Sequence, residues 1–346
     1  MSLRDLLGVE LPIVQAPMAG VQASALAIAV SNAGGLGSLP CALLSPEAMR
    51  RELQAIREQT DRPFNVNFFC HTQPAADPVR DTVWRATLSR YYEEFGLGID
   101  TIPADAGRAA FDEAALEIIS EFKPPVVSFH FGLPPTPLLA RVKRWGSVIL
   151  ASATTVDEAR WLEENGVDAV IAQGVDAGGH RGTFLSDDMS TQVGTFSLVP
   201  QIVRAVKVPV IAAGGIADAD GAACAMALGA AGVQIGTAYL LCPEATTSAV
   251  HRAALNSATA RETALTNLFT GRPARGIVNR MMRELGPIND LAPAFPLATS
   301  AVAPLRAKAE AEGKGDFSPL WAGQNVSGCK EIPAAELTRA LAGKLW

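Results

Sequence analysis

Along the chain, short unbroken apolar runs alternate with longer stretches whose apolar positions return every three or four residues. Eight of the short runs read as β-strands: 12–18 (PIVQAPM), 36–40, 64–69 (FNVNFF), 126–131 (VVSFHF), 148–153 (VILASA), 169–174 (AVIAQG), 209–215 (PVIAAGG) and 232–237 (GVQIGT). Helical spacing falls between them, over 23–33, 45–59, 136–145, 156–165, 198–206 and 217–228. Gly34 and Gly35 stop the first of these helices, and Ser45 stands where it caps the second. A strand that is apolar on both faces needs cover on both faces, which a parallel sheet provides. Eight such units predict an α/β fold, a (β/α)8 TIM barrel, with an open doubly wound sheet as the alternative.

Two regions break the rhythm. Residues 71–108 are long, polar and Pro-rich, and lie between the third strand and its helix. Residues 246–317 follow the eighth strand and read as several helices interrupted at Pro287, Pro293, Pro296 and Pro304. The expected organisation is a barrel over 1–245, a second, smaller helical domain over 246–317 that covers the barrel mouth, and a return of 318–346 to the barrel.

Composition narrows the function classes. Hydrophobic residues make up 49% of the 346 and charged residues 18%, enough apolar side chain for one large core. The net charge of −6 comes with no Lys/Arg cluster, so the footprint of a nucleic-acid partner is missing. No basic region leads into an apolar run at the start, and apolar stretches break well short of the roughly 20 residues of a membrane span, so neither export nor membrane insertion is expected. Cys41, Cys70, Cys224, Cys242 and Cys329 form no C-x-x-C pair, which points to a reducing cytoplasm and buried thiols. No metal-ligand spacing, G-x-S-x-G elbow or Walker loop is present.

The candidate chemistry gathers at strand ends. The seventh strand ends in Gly214-Gly215 with a helix starting just after; glycine lets backbone N–H groups approach an anion, and a helix N-terminus adds aligned donors. The eighth ends in Gln234-Ile235-Gly236-Thr237, and in this fold the loops after strands seven and eight often hold a phosphate. After the sixth strand, residues 173–182 pack Gln173, Gly178, Gly179 and His180 into one turn with Asp176 and Arg181. Imidazole is the side chain best matched to proton transfer near neutral pH. His130, on the fourth strand, points to the barrel mouth or the core, whereas His71 and His251 read as surface residues. Gln15 and Met18 end the first strand and Asn67 lies in the third; amides there suit the polar edge of a heterocycle.

The stretches 12–20 (PIVQAPMAG), 65–69 (NVNFF), 128–132 (SFHFG), 172–184 (AQGVDAGGHRGTF), 209–218 (PVIAAGGIAD), 234–245 (QIGTAYLLCPEA), 270–280 (TGRPARGIVNR) and 320–324 (LWAGQ) resemble, in this order, the class I nitronate monooxygenases, formerly 2-nitropropane dioxygenases. The resemblance implies FMN contacts at Asn67, Gln173, Gly178, Gly215 and 234–237, and His180 as the catalytic residue beside flavin N5. It implies oxidation of alkyl nitronates, propionate 3-nitronate among them, by O2 to carbonyl compounds and nitrite, with no need of NAD(P)H, by a monomer or homodimer. Family members often carry Tyr where this chain has Trp321, an aromatic that would lie near the substrate. The rival on the same barrel is an NAD(P)H-dependent FMN reductase of the enoyl-ACP or quinone reductase type; 128–132 and 270–276 favour the monooxygenase.

Overall fold

The computed structural model describes residues 2–103 and 108–345. Met1, residues 104–107 and Trp346 fall within the expected barrel, the Pro-rich insertion and the closing return, and lie outside the described residues. The strands are β1 (Ile13–Gln15), β2 (Gly37–Pro40), β3 (Phe64–Phe69), β4 (Val126–His130), β5 (Val148–Ala153), β6 (Ala169–Gln173), β7 (Gly179–His180), β8 (Val210–Ala213), β9 (Gly232–Ile235), β10 (Thr263–Thr266) and β11 (Ala274–Ile277). All except β7, β10 and β11 form one parallel sheet in the order β1-β9-β8-β6-β5-β4-β3-β2. The ends of that order meet: the Gln15 N–H donates to the Leu36 carbonyl (2.9 Å) and the Leu36 N–H to that of Ile13 (2.8 Å). The sheet thus curls into a nearly closed TIM-like barrel, with helices between successive strands.

Side-chain alternation sorts each strand into two layers. Ile13, Val66, Phe68, Val127, Phe129, Val170, Ala212, Val233 and Ile235 pack outward into the large core shared with the helices. Their neighbours one position along point inward. Val14, Leu150, Ile171, Ile211 and Ala213 fill the barrel with Leu3 and Leu7, so the short helix Leu3–Leu7, for which the hydrophobic pattern gave no signal, plugs its N-terminal end. The inward set turns polar at the C-terminal end: Asn67, Ser128, His130, Ser152, Gln173 and Gln234.

The two irregular regions pack together. In the insertion, helix Pro78–Glu94 places Trp84, Leu88, Tyr91 and Tyr92 in a second apolar cluster with Leu268, Phe269, Met281, Met282, Leu305 and Phe317. The stretch 246–317 is not wholly helical. β10 and β11 pair antiparallel, and β11 pairs with β7, setting Ala274 opposite His180. The Thr and Ile residues of β10 and β11 suit strands, but four residues each is too short a run to separate strand from helix by pattern. Helix Ala334–Leu341 returns to pack on helices Ser24–Asn32 and Ala219–Ala227. No helix among the described residues is long and apolar enough to cross a membrane.

Candidate active site

The polar inward layer opens into a cavity at the C-terminal ends of the strands, lined by parts of β3, β4, β5, β6, β7 and the loops after β1, β8 and β9. Two backbone bends form one wall. β8 and β9 run side by side with Ala213 opposite Gln234, so Gly214-Gly215 and Gly236-Thr237 emerge next to each other. Gly214 (φ 116°) and Gly215 (φ 71°) take left-handed conformations that bulkier residues avoid, and a Cβ on Gly214 would stand 2.7 Å from the Thr195 hydroxyl. The following helix, Ala219–Ala227, is capped by its own Asp218, whose carboxylate accepts from the Gly221 N–H (2.8 Å). Its N-terminus therefore has an anionic cap already, and the free donors lie in the bends rather than in the helix. The C-terminal return closes over them: the Gly323 N–H donates to Thr237 Oγ1 (2.9 Å) and Asn325 Nδ2 to the Gly215 carbonyl (3.2 Å).

The turn after β6 is built to present His180. Gln173 Nε2 donates to the His180 carbonyl (2.9 Å), and Gln173 Oε1 accepts from the Gly182 N–H (2.8 Å). Fully buried Arg181 ties down the other side, donating to the carbonyls of Gln173 (2.6 Å) and Gly174 (2.7 Å) and to Gln192 Oε1. Gly179, at φ 73°, makes the reversal, and a Cβ there would meet open space.

The His180 ring sits among Phe295 (5.3 Å between centroids), Trp321 (5.5 Å), Phe131 (6.0 Å) and Phe69 (6.2 Å). Its Nε2 lies 3.0 Å from Thr270 Oγ1, and that hydroxyl is 3.4 Å from the Arg272 carbonyl, which can only accept. A Thr270 hydroxyl that donates to Arg272 receives the Nε2 proton of the neutral ring, leaving Nδ1 as the basic nitrogen. Burial, then the charge of Arg108, with His130, Arg272 and His71, holds the imidazole well below its usual pKa. His130 lies beneath: Nε2 donates to the His180 carbonyl (3.3 Å) and Nδ1 accepts from the Ser152 hydroxyl (3.0 Å). Burial, with Arg272 nearby, pushes it down to about 3.

Most of the residues picked out in the sequence meet here: Met18, Asn67, His130, Gln173, Gly178, Gly179, His180, Gly214, Gly215, Gln234, Gly236, Thr237 and Trp321 line the cavity. Gln15 and Ile235 do not. They share the outward parity of Ile13 and Val233, so Ile235 packs in the outer core, while fully buried Gln15 bonds Gln22 (2.7 Å) and the Ser38 N–H (2.9 Å). The assignment of His71 and His251 to the surface is corrected: both are buried, at 6% and 4% exposure. His71 packs edge-on to Phe295 (4.9 Å), and His251 lines the cavity with Nε2 lacking any partner among the described residues. The spacing around these histidines is unremarkable, and only the fold of the second cluster buries them. Cys224 is likewise exposed rather than buried. Sequence reasoning passed over Ser128, Ser152, Arg108, Gly323 and Asn325; inward alternation along β4 and β5 marks the two serines. Among the described residues no His/Cys/Asp/Glu group could hold a metal ion.

A nearly closed parallel barrel with its polar, histidine-bearing cavity at the C-terminal ends of the strands defines a (β/α)8-barrel enzyme. The family model for nitronate monooxygenase matches residues 1–343, and the chain belongs to that family of oxidoreductases. It is 43% identical over 342 residues to a nitronate monooxygenase of Pseudomonas aeruginosa, covering 98% of this chain and 97% of that one. The solved structure of a nitroalkane oxidase from Streptomyces ansochromogenes superposes with a TM-score of 0.90 at 41% identity, over 100% of this chain and 98% of that one. FabK from Thermotoga maritima is more distant, with a TM-score of 0.73 at 29% identity over 99% and 96%.

Proposed function

We propose that the protein binds FMN in this cavity and oxidises alkyl nitronates, and nitroalkanes that reach the site, with O2 to carbonyl compounds and nitrite. The residues present suit such a cofactor. The Gly214-Gly215 and Gly236-Thr237 bends offer backbone donors for a phosphate, and no carboxylate lines that wall among the described residues. Gln234 Oε1 is buried with no partner among the described residues, an acceptor open to a ligand donor. Asn67 Nδ2 is committed to Ser128 (3.0 Å), leaving its carbonyl oxygen to face a ring N–H. FMN supplies the electron chemistry between nitronate and O2; the protein orients both.

His180 is the catalytic residue, and its placement is the observation that carries the reading: a buried imidazole in an aromatic cavity beside the glycine bends, where burial and nearby cations favour the neutral ring. It takes the α-proton of a nitroalkane, turning the carbon acid into its nitronate. A substrate that arrives as the nitronate skips that step, and the ring orients it. Trp321 and Phe295 flank the ring and exclude water. Residues 246–317, joined by the insertion helix, cover the mouth as a small domain.

The purified protein is expected to show a flavin absorbance spectrum and to consume O2 on addition of ethylnitronate, with nitrite released. Rapid anaerobic bleaching of the flavin by NADH, with no O2 uptake from the nitronate, would instead establish a nicotinamide-dependent reductase.

A further inference from the structure

Residues 320–329 of the C-terminal return run along the cavity from the His180 end to the bends after β8 and β9. Trp321 stands at the first end, 5.5 Å from the imidazole. Beyond it the chain is pinned to the barrel by hydrogen bonds. The Gly323 N–H donates to Thr237 Oγ1 (2.9 Å), the Gln324 N–H to the Asp176 carbonyl (3.0 Å), Asn325 Nδ2 to the Gly215 carbonyl (3.2 Å) and Cys329 Sγ to the Thr237 carbonyl (3.1 Å). The fit is close: a Cβ on Gly178 would stand 2.6 Å from the Ala322 carbonyl carbon, and one on Gly328 would collide with the Ala217 carbonyl. Gly323 and Asn325 both line the cavity.

Asn325 is held in one orientation. Its Oδ1 accepts from the Ser327 N–H (3.1 Å) and from the Ser327 hydroxyl (2.6 Å). A backbone N–H only donates and the Gly215 carbonyl only accepts, so the amide cannot be turned over and Nδ2 faces the bend. Nδ2 carries two hydrogens; one goes to Gly215, and the other makes no hydrogen bond to a described residue. Thr237 is set in a similar way: its Oγ1 takes the Gly323 N–H, which leaves its own hydrogen to donate. A dianion at the bends finds no lysine or arginine beside it among the described lining residues. Arg108, the only such residue in that lining, follows β3, across the barrel from β8 and β9. Neutral N–H and O–H groups therefore hold the charge, and hydrogen bonds to an ionised acceptor are the strong ones.

We propose that Asn325 is a ligand of the cofactor phosphate, and that this contact holds the return closed, so that docking of the phosphate and completion of the Trp321 wall beside His180 are a single event. This rests on the cavity being an FMN site. The bends belong to neighbouring barrel strands and stand ready without a ligand. Asn325 reaches them from a segment 110 positions along the chain, so its donor is in place only while the return is down.

The test separates FMN from riboflavin, which lacks only the phosphate. Binding of each to the flavin-stripped, full-length chain is followed by flavin fluorescence for wild type, Asn325→Ala and Asn325→Asp. Asn325→Ala is expected to weaken FMN binding by roughly tenfold or more, the worth of a hydrogen bond to a charged acceptor, and to leave riboflavin binding unchanged. Asn325→Asp, which sets a carboxylate where the donor stood, should weaken FMN further and still spare riboflavin. Hydrogen exchange over 321–329 is the second readout. Saturating FMN should protect this segment in wild type and saturating riboflavin should not; this comparison needs no variant, so it stands even where a substitution prevents folding. Equal losses for both flavins would make Asn325 a structural residue of the loop, and equal protection by both would uncouple the return from the phosphate; either result overturns the proposal. Wild type that binds neither flavin would sink the reading of the cavity itself.

Discussion

At the scale of single residues, a strand places function by parity. Gln173 and Gln234 face the cavity, yet Gln15, also an amide at a strand end, faces the outer layer. An amide's chemistry is the same on either face; its position relative to the apolar alternation decides which surface it serves. The role proposed for His180 rests on three constraints, of which only the first lies within its own motif: the Gln173 and Arg181 bonds that shape its turn, the Thr270 hydroxyl at Nε2, and the aromatic rings around it. His180→Asn is expected to retain the flavin and to lose roughly 10²-fold or more in turnover of a neutral nitroalkane, the contribution of a positioned base. Steady-state O2 uptake checks this, and full activity in the variant would remove His180 from the chemistry.

At the scale of elements, the barrel strands were legible because both of their faces are apolar, and their observed limits fall within a few residues of the runs read from the pattern. The capping of helix Pro46–Gln59 by Ser45, which accepts from the Ala48 N–H (3.2 Å), followed from local chemistry in the same way. Helix Pro78–Glu94 was not legible. Its apolar residues lie around the helix rather than on one stripe, and it holds its place through packing against residues two hundred positions away, as in the bond from Tyr92 to the Ala301 carbonyl (2.7 Å). Trp84, the largest side chain of the cluster, is fully buried. Trp84→Ala is expected to cost about 3–5 kcal/mol by opening a cavity in the second cluster. A urea titration reads this as a lower midpoint; an unchanged midpoint would show that the insertion helix does not depend on that packing.

At the scale of the whole molecule, all four histidines of the chain are gathered in or around one cavity and kept uncharged. Burial lowers His71 and His251 to about 4 and His130 to about 3, with Arg272 adding to the first and the last. Below the ordinary value of 6.5 the unfolded chain binds protons that the folded one refuses, so stability falls as pH drops from about 6.5 toward 4 and is fully present above that window. Each such histidine contributes up to about 1.4 kcal/mol per pH unit to the slope. His251→Gln should therefore flatten the loss of thermal stability between pH 6.5 and 4.5, as followed by the unfolding midpoint; a slope as steep as that of wild type would show that His251 is not held neutral. The amino-acid sequence by itself determined the barrel, its strand count and the glycine bends, because these follow from periodicity and from backbone conformations that one residue type dictates. Only the tertiary structure decided which amides face inward, that His251 and Arg108 line the site with His71 packed beside it, and that β10 and β11 brace the turn of His180. Those outcomes depend on contacts between segments far apart in the chain, and no local pattern of residues encodes such a contact.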